Sequence, residues 1–124
     1  MDNKRVVTEY FTALSGKPKS ADLVARYVSD AALIEHIAQV EAAFPHYELI
    51  ADQILADGDL VAVRGTFRGA HSGVPFAGIE PRGIAATGDM MIIYRIENGR
   101  IAEHWLQFDI PGLLAQLQPT LAEV

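Results

Sequence analysis

The chain has 124 residues, half of them hydrophobic, which is enough for a single domain over 1–124 with a sizeable apolar core. Its net charge of −6 and scattered basic residues argue against a nucleic-acid partner, and no apolar run approaches the roughly 20 residues of a membrane span. The absence of cysteine excludes disulfides and thiol chemistry, and the amino-terminal stretch lacks the apolar block of a signal peptide, so we expect a cytoplasmic protein.

Hydrophobic residues at helical spacing predict three helices at the start of the chain. The first begins near Asn3, and the second begins at Ser20 or Asp22. The third begins at Asp30 and is closed by Pro45. The apolar stripe of the first helix comprises Val6, Val7, Tyr10, Phe11 and Leu14.

After the third helix the hydrophobic period changes to two, which predicts β-strands over 47–56, 60–71, 84–96 and 100–108. Asp57-Gly58 and Asn98-Gly99 are signals for tight hairpin turns. Pro111 then opens a last short helix. Helices followed by an antiparallel meander indicate an α+β fold, in which a curved antiparallel sheet wraps around the N-terminal helices and leaves a cone-shaped space between them.

Alternation along the strands predicts which side chains face this cone. In the second strand, one face carries Val61, Val63 and Phe67, and the other carries Arg64, Thr66 and Arg68. In the third strand, the less charged face should be the inner one. It comprises Met90, Ile92, Tyr94 and Ile96.

Several motifs of the sequence resemble the SnoaL-like polyketide cyclase family of the nuclear-transport-factor-2-like superfamily. They are Phe44-Pro45, Gly78-Ile79-Glu80-Pro81, residues 95–101, Glu103-His104-Trp105, Asp109 and residues 113–117. The resemblance implies a pocket at the wide end of the cone and a homodimer. It also implies a cofactor-free enzyme of the cyclase or isomerase type, in which an aspartate acts as acid and base on an apolar, carbonyl-containing small molecule.

The resemblance places the family's acid/base aspartate on Asp109 and its assisting histidine on Ile92, so an apolar side chain stands where the family has an imidazole. Read from its neighbours alone, Asp109 is equally well a helix N-cap before Pro111. His104 is a second candidate catalytic residue, with a surface or dimer-face position as the alternative. In a regular strand residues 104 and 109 point to opposite faces, so both enter the pocket only if a bulge intervenes.

The expected substrate-binding residues are mostly aromatic or aliphatic. They are Trp105, Tyr10, Tyr27, Phe67, Met90, Ile92 and Gln107. Trp105 and Gln107 are included because they share the strand parity of Asp109. The histidines at 36, 46 and 71 lack the spacing of a metal site, and we expect no metal.

Two other functions are open at this stage. The first is an epoxide hydrolase-like enzyme, for which Arg64, Arg68 and Arg95 are available, although their parity indicates the outer face. The second is a non-catalytic, small-molecule-binding dimeric module, which the apolar Ile92 favours. In either case the sheet face that carries Arg64 and Thr66 is the predicted dimer face.

Overall fold

The computed structural model describes residues 2–118. Within this range the element order is α1 (Asn3–Leu14), α2 (Ala21–Tyr27), α3 (Ala31–Ala43), β1 (Glu48–Asp57), β2 (Leu60–His71), β3 (Ile84–Glu97), β4 (Arg100–Phe108) and α4 (Ile110–Leu117). The predicted α+β order is confirmed. No helix in this part of the chain is long and apolar enough to cross a membrane.

Polar side chains begin the first three helices, as the sequence predicts, with one shift of position. Asp2 rather than Asn3 caps α1, because its carboxylate accepts from the Lys4 N–H at 3.0 Å while the Asn3 amide donates to the Gly58 carbonyl at 2.8 Å. Asp30 caps α3 by accepting from the backbone N–H groups of Ala32 and Leu33. This cap fixes the start of the helix that later covers the cavity.

The four strands form one antiparallel sheet in the order β1-β2-β3-β4. Asn98 and Gly99 both adopt positive φ angles, 53° and 75°, as the predicted tight turn between β3 and β4 requires. Beyond that turn the pairing is interrupted: Arg95 pairs with Glu103 but Ile96 pairs with Ile101. Ala102 is therefore the extra residue of a β-bulge, and it changes which side chains of β4 face inward.

The inner face of the sheet and the helices that cover it bury the hydrophobic core. The predicted inner residues of β3 are confirmed, since Met90, Ile92, Tyr94 and Ile96 are all buried. In β2, Val61, Val63 and Phe67 are buried while Arg64 and Arg68 are exposed, again as predicted. Full burial of one large apolar side chain contributes about 1.5–3 kcal/mol, so this core supplies much of the stabilisation of the domain.

The loop between β2 and β3 folds back onto the end of α3. Backbone N–H groups of Gly73 and Val74 donate to the last carbonyls of α3, at 3.1 and 2.9 Å. A side chain at Gly73 would collide with the Ala42 carbonyl, so glycine is needed for this close approach. The loop then places the Phe76 ring against the Phe44 ring, with centroids 5.4 Å apart.

Candidate active site

A cavity of about 90 Å³ lies between the inner face of the sheet and the helices. Every described element except α2 contributes to it, together with the β2–β3 loop. Its wall comprises Tyr10, Leu33, His36, Ile37, Val40, Phe44, Tyr47, Leu49, Phe67, Phe76, Met90, Ile92, Tyr94, Leu106, Phe108, Ile110 and Leu113. The wall is therefore aromatic and aliphatic, with few polar groups, as in most sites for small organic molecules.

The cavity opens between α3 and the start of α4. Most of its wall residues are buried, but Ile110 is 44% exposed and His36 is also exposed, so these two mark the rim. Phe76 closes another part of the wall from the β2–β3 loop. A ligand entering at the rim would pass His36 before it reached the interior.

Three tyrosines, Tyr10, Tyr47 and Tyr94, supply hydroxyl groups deep in the wall. All three are almost fully buried, and burial raises the pKa of each phenol well above its ordinary value, so they stay protonated donors. Tyr10 and Tyr94 are neighbours in the wall, with ring centroids 5.9 Å apart in an edge-to-face arrangement. A phenol that stays protonated can donate a hydrogen bond to a ligand oxygen.

One imidazole, that of His36, belongs to the cavity wall. Among the described wall residues, His36 is the only side chain whose ordinary pKa lies near neutrality, and none is a carboxylate, an ammonium or a guanidinium. Although His36 is exposed at the rim, the apolar wall beside its ring removes part of its hydration, and this desolvation, followed by the charge of His104, lowers the pKa of His36. At neutral pH this imidazole is therefore uncharged and able to accept a proton.

A second imidazole, that of His104, lies on the inner side of β4 beside the wall. His104 pairs across the sheet with Tyr94 and is two residues from Leu106, both of which are wall residues. Its Nδ1 donates to the Asp30 carboxylate at 2.7 Å, and only 17% and 13% of the two side chains are exposed. Burial acts to raise the pKa of Asp30, but the hydrogen bonds from His104 and from the α3 backbone outweigh burial and lower it.

A sequence model of the SnoaL-like polyketide cyclases matches residues 7–117. The chain belongs to this family. No curated protein sequence matches it significantly.

Solved structures of SnoaL-like proteins share the fold of this chain. IdmH from Streptomyces antibioticus, a candidate polyketide cyclase, is 24% identical, with a TM-score of 0.76 over 94% of this chain and 99% of that one. AclR from Streptomyces galilaeus, a candidate hydroxylase, is 23% identical, with a TM-score of 0.79 over 94% and 80%. A candidate polyketide cyclase from Acidithiobacillus ferrooxidans is 18% identical, with a TM-score of 0.80 over 94% of each chain. These relationships establish the curved-sheet fold of the family.

Asp109, the predicted acid/base residue of this SnoaL-like protein, does not line the cavity described above. Asp109 is exposed, is not part of the cavity wall and caps α4, where its carboxylate accepts from the Gly112 N–H at 3.0 Å. Gly112 leaves room for this cap, since a side chain there would collide with the carboxylate. The helix N-cap, the other interpretation of Asp109, is the one that the structure shows.

Trp105 and Gln107, which were predicted to bind the substrate, also lie outside the wall of this cavity. The bulge at Ala102 gives the inner face of β4 to residues 104, 106 and 108, so Trp105 is 50% exposed on the outer face and Gln107 is exposed beside it. His104 was predicted to point to the face opposite Asp109, and it points to the inner face of the sheet. Of the other predicted wall residues, Tyr10, Phe67, Met90 and Ile92 line the cavity, whereas Tyr27 packs behind Tyr10, with centroids 6.2 Å apart, and is not part of the wall.

His36 was not predicted as a site residue, although the sequence contains a signal for it. Its position is three residues after Leu33 and four before Val40, so it lies on the apolar face of α3. A titratable side chain at that spacing interrupts a hydrophobic stripe that is otherwise directed at the core. Within residues 2–118, no three histidine or carboxylate side chains are close enough to hold a metal ion.

Proposed function

We propose that this SnoaL-like protein is a cofactor-free enzyme of the cyclase or isomerase type. Its substrate is an apolar small molecule with a carbonyl group, and its reaction begins with proton transfer at the carbon beside that carbonyl. The observation that carries the proposal is the composition of the cavity wall. An aromatic and aliphatic surface surrounds phenol donors at depth, and a neutral imidazole stands at the rim.

The buried phenols suit the oxygen of such a substrate. When a proton leaves the carbon beside a carbonyl, negative charge develops on the carbonyl oxygen, and a donor held in an apolar site stabilises that charge far better than water does. The Tyr94 hydroxyl, on a buried ring of the cavity wall, is such a donor. Loss of one donor of this type costs about 10²–10³ in rate in other enzymes.

The size of the cavity favours a compact ligand. A volume of about 90 Å³ is well below the range of about 300–1,000 Å³ that is usual for pockets of drug-sized ligands. Ile92 also lines the cavity where polyketide cyclases carry a histidine, and it offers no donor. We therefore propose a substrate smaller and less polar than the multi-ring precursors of polyketide antibiotics.

Addition of water to an epoxide has less support than proton transfer. The arginines considered for that reaction lie on the outer face and are engaged elsewhere: Arg64 donates to Gln53, Arg68 to Glu48, and Arg95 to Glu103. None of them lines the cavity. The cavity wall therefore brings no guanidinium to a bound epoxide.

Exchange of carbon-bound hydrogen in D₂O tests the proposed function without knowledge of the natural substrate. Cyclohexanone and 1-tetralone would be incubated with the enzyme, and the loss of the α-proton signals followed by NMR. We expect faster exchange than in buffer, and Val40→Trp, which fills the cavity, should abolish the acceleration. Ala38→Trp, on the exposed side of the same helix, is the matched control and should retain it.

Two results would count against an enzyme. Binding of the ketones without faster exchange, detected by native mass spectrometry, would favour the non-catalytic module. Acceleration that persists in Val40→Trp would show that the reaction takes place outside this cavity.

We further propose that the protein is a homodimer formed through the outer face of the sheet. The strand register places Leu55, Ala62, Ile93 and Trp105 in one row across all four strands. Three of these are large and well exposed, at 74% for Leu55, 42% for Ile93 and 50% for Trp105. An apolar row of this kind, flanked by polar residues such as Gln53, has the composition of an interface core with a polar rim.

A further inference from the structure

We propose that the imidazole of His36 in the cavity wall is the catalytic base, and that His104, hydrogen-bonded to Asp30 at the start of α3, is a positioning residue for the helix that carries His36. This inference rests on the proposed proton-transfer function and names the group that performs it. It replaces Asp109, which the fold directs away from the cavity.

His36 lies in the cavity wall, where a base can reach a bound substrate. A base has to reach a carbon atom inside an apolar site, and it has to be unprotonated there at neutral pH. Among the described wall residues, His36 alone meets both conditions, because the remaining titratable groups are phenols that stay protonated. His36 and the buried tyrosines line the same cavity, so a substrate bound there has both a base and phenol donors in the surrounding wall.

His104 and Asp30 form a hydrogen-bonded pair beside the cavity wall. The 2.7 Å bond from Nδ1 to the carboxylate fixes the His104 ring, and Asp30 is itself held by two N–H groups at the start of α3. The pair therefore joins β4 to the helix that carries His36.

The charges around His36 support this arrangement from each neighbouring element. On α3, Glu35 is directed to solvent and accepts from Gln39, at 3.3 Å. Before α4, the Asp109 carboxylate is used in its helix cap. The tyrosines of the wall, which lie in α1, just before β1 and in β3, are neutral. The remaining charge that acts on His36 is that of His104 on β4, and it lowers the pKa of His36 in the same direction as burial does.

The chemical step balances with these groups alone. The neutral His36 imidazole takes the proton from the carbon beside the carbonyl, and the C–H electron pair becomes the double bond of the enolate, whose oxygen the Tyr94 hydroxyl holds. In an isomerisation, the His36 imidazolium returns the proton to another carbon of the conjugated system. In a ring closure, the enolate carbon attacks a second carbonyl group and the imidazolium protonates the new alkoxide.

Exchange kinetics with cyclohexanone in D₂O test the base. We expect His36→Gln and His36→Ala to lower the enzymatic exchange rate by about 10²–10⁴. Added imidazole should partly restore the rate of His36→Ala, because that variant leaves a gap at the exposed rim, and this rescue shows that the variant is folded. His46→Asn, which alters an exposed histidine beyond the other end of α3, should leave the rate unchanged.

NMR titration of the four imidazoles tests the positioning role independently of activity. We expect His36 to titrate below its ordinary pKa in the native protein and higher in His104→Gln, with no change in His46→Asn. An unchanged His36 titration in His104→Gln would overturn the role of His104. Full exchange activity in both His36 variants would overturn the base, whereas absence of exchange in the native protein would defeat the proposed function itself.

Discussion

At the scale of single residues, substitutions of Asp109 distinguish a mechanism with Asp109 as the acid/base group from one with His36 as the base. The structure makes Asp109 a helix cap, so Asp109→Asn, which preserves a capping side chain, should change neither the exchange rate nor the stability appreciably. Asp109→Ala should cost about 1 kcal/mol of unfolding free energy, measured by urea denaturation, and still leave the rate unchanged. A rate loss of the size expected for a general base in Asp109→Asn would restore the aspartate mechanism.

Tyr94 is the residue on which the proposed oxygen binding depends. Tyr94→Phe keeps the buried ring but removes the donor, so we expect exchange to slow by about 10²–10³ while ketone binding by native mass spectrometry is largely retained. Tyr27→Phe is the matched control, because Tyr27 packs behind Tyr10 outside the cavity wall. Equal effects of the two substitutions would show that the hydroxyl acts through packing.

At the scale of secondary-structure elements, Lys19 fastens the α1–α2 loop to the rest of the fold. Its side chain is fully buried, and its ammonium group donates to the Lys17 and Tyr47 carbonyls and to Glu41, at 3.0, 2.8 and 3.1 Å. It also lies 4.0 Å from the centre of the Tyr47 ring, which forms part of the cavity wall. Lys19 therefore supports the wall from behind.

We expect Lys19→Ala to destabilise the protein by about 2–4 kcal/mol, because it leaves a partly buried carboxylate and two carbonyls without their donor. Urea denaturation would measure the loss. Lys17→Ala, an exposed change in the same loop, should stay within about 0.5 kcal/mol of the native protein. Equal stability of the two variants would contradict the role assigned to Lys19.

The elements also show how far sequence reasoning extends in this chain. Helical spacing of apolar residues predicts the helices, and two-residue alternation together with the Asn98-Gly99 turn predicts the strands. Both patterns arise because each element buries one face. The bulge at Ala102 is different, because a single extra residue leaves no mark on local composition and yet moves His104 to the inner face and Trp105 to the outer one. The places of Trp105 and Gln107 outside the cavity follow from that one residue, and the place of Asp109 follows from its capping role.

At the scale of the whole molecule, the outer face of the sheet predicts the oligomeric state. Light scattering at micromolar concentration should give twice the monomer mass. Trp105→Glu should give a monomer, because a charge in the centre of the apolar row opposes burial of that row. Trp105→Phe is the control and should remain a dimer. A native protein that is monomeric under these conditions would contradict the proposed interface.

The pH dependence of kcat/KM for cyclohexanone exchange is the sharpest test of His36 as the base, because it reports the ionisation of the essential base in the free enzyme. The rate should rise with pH to a plateau, since the base has to lose its proton before it can act. Because burial and the charge of His104 lower the pKa of His36, the midpoint should lie below the ordinary histidine value of about 6.5. The profile should be lost in His36→Ala. A midpoint near the ordinary carboxylate value of about 4 that persists in His36→Ala would show that a carboxylate, and not His36, is the base.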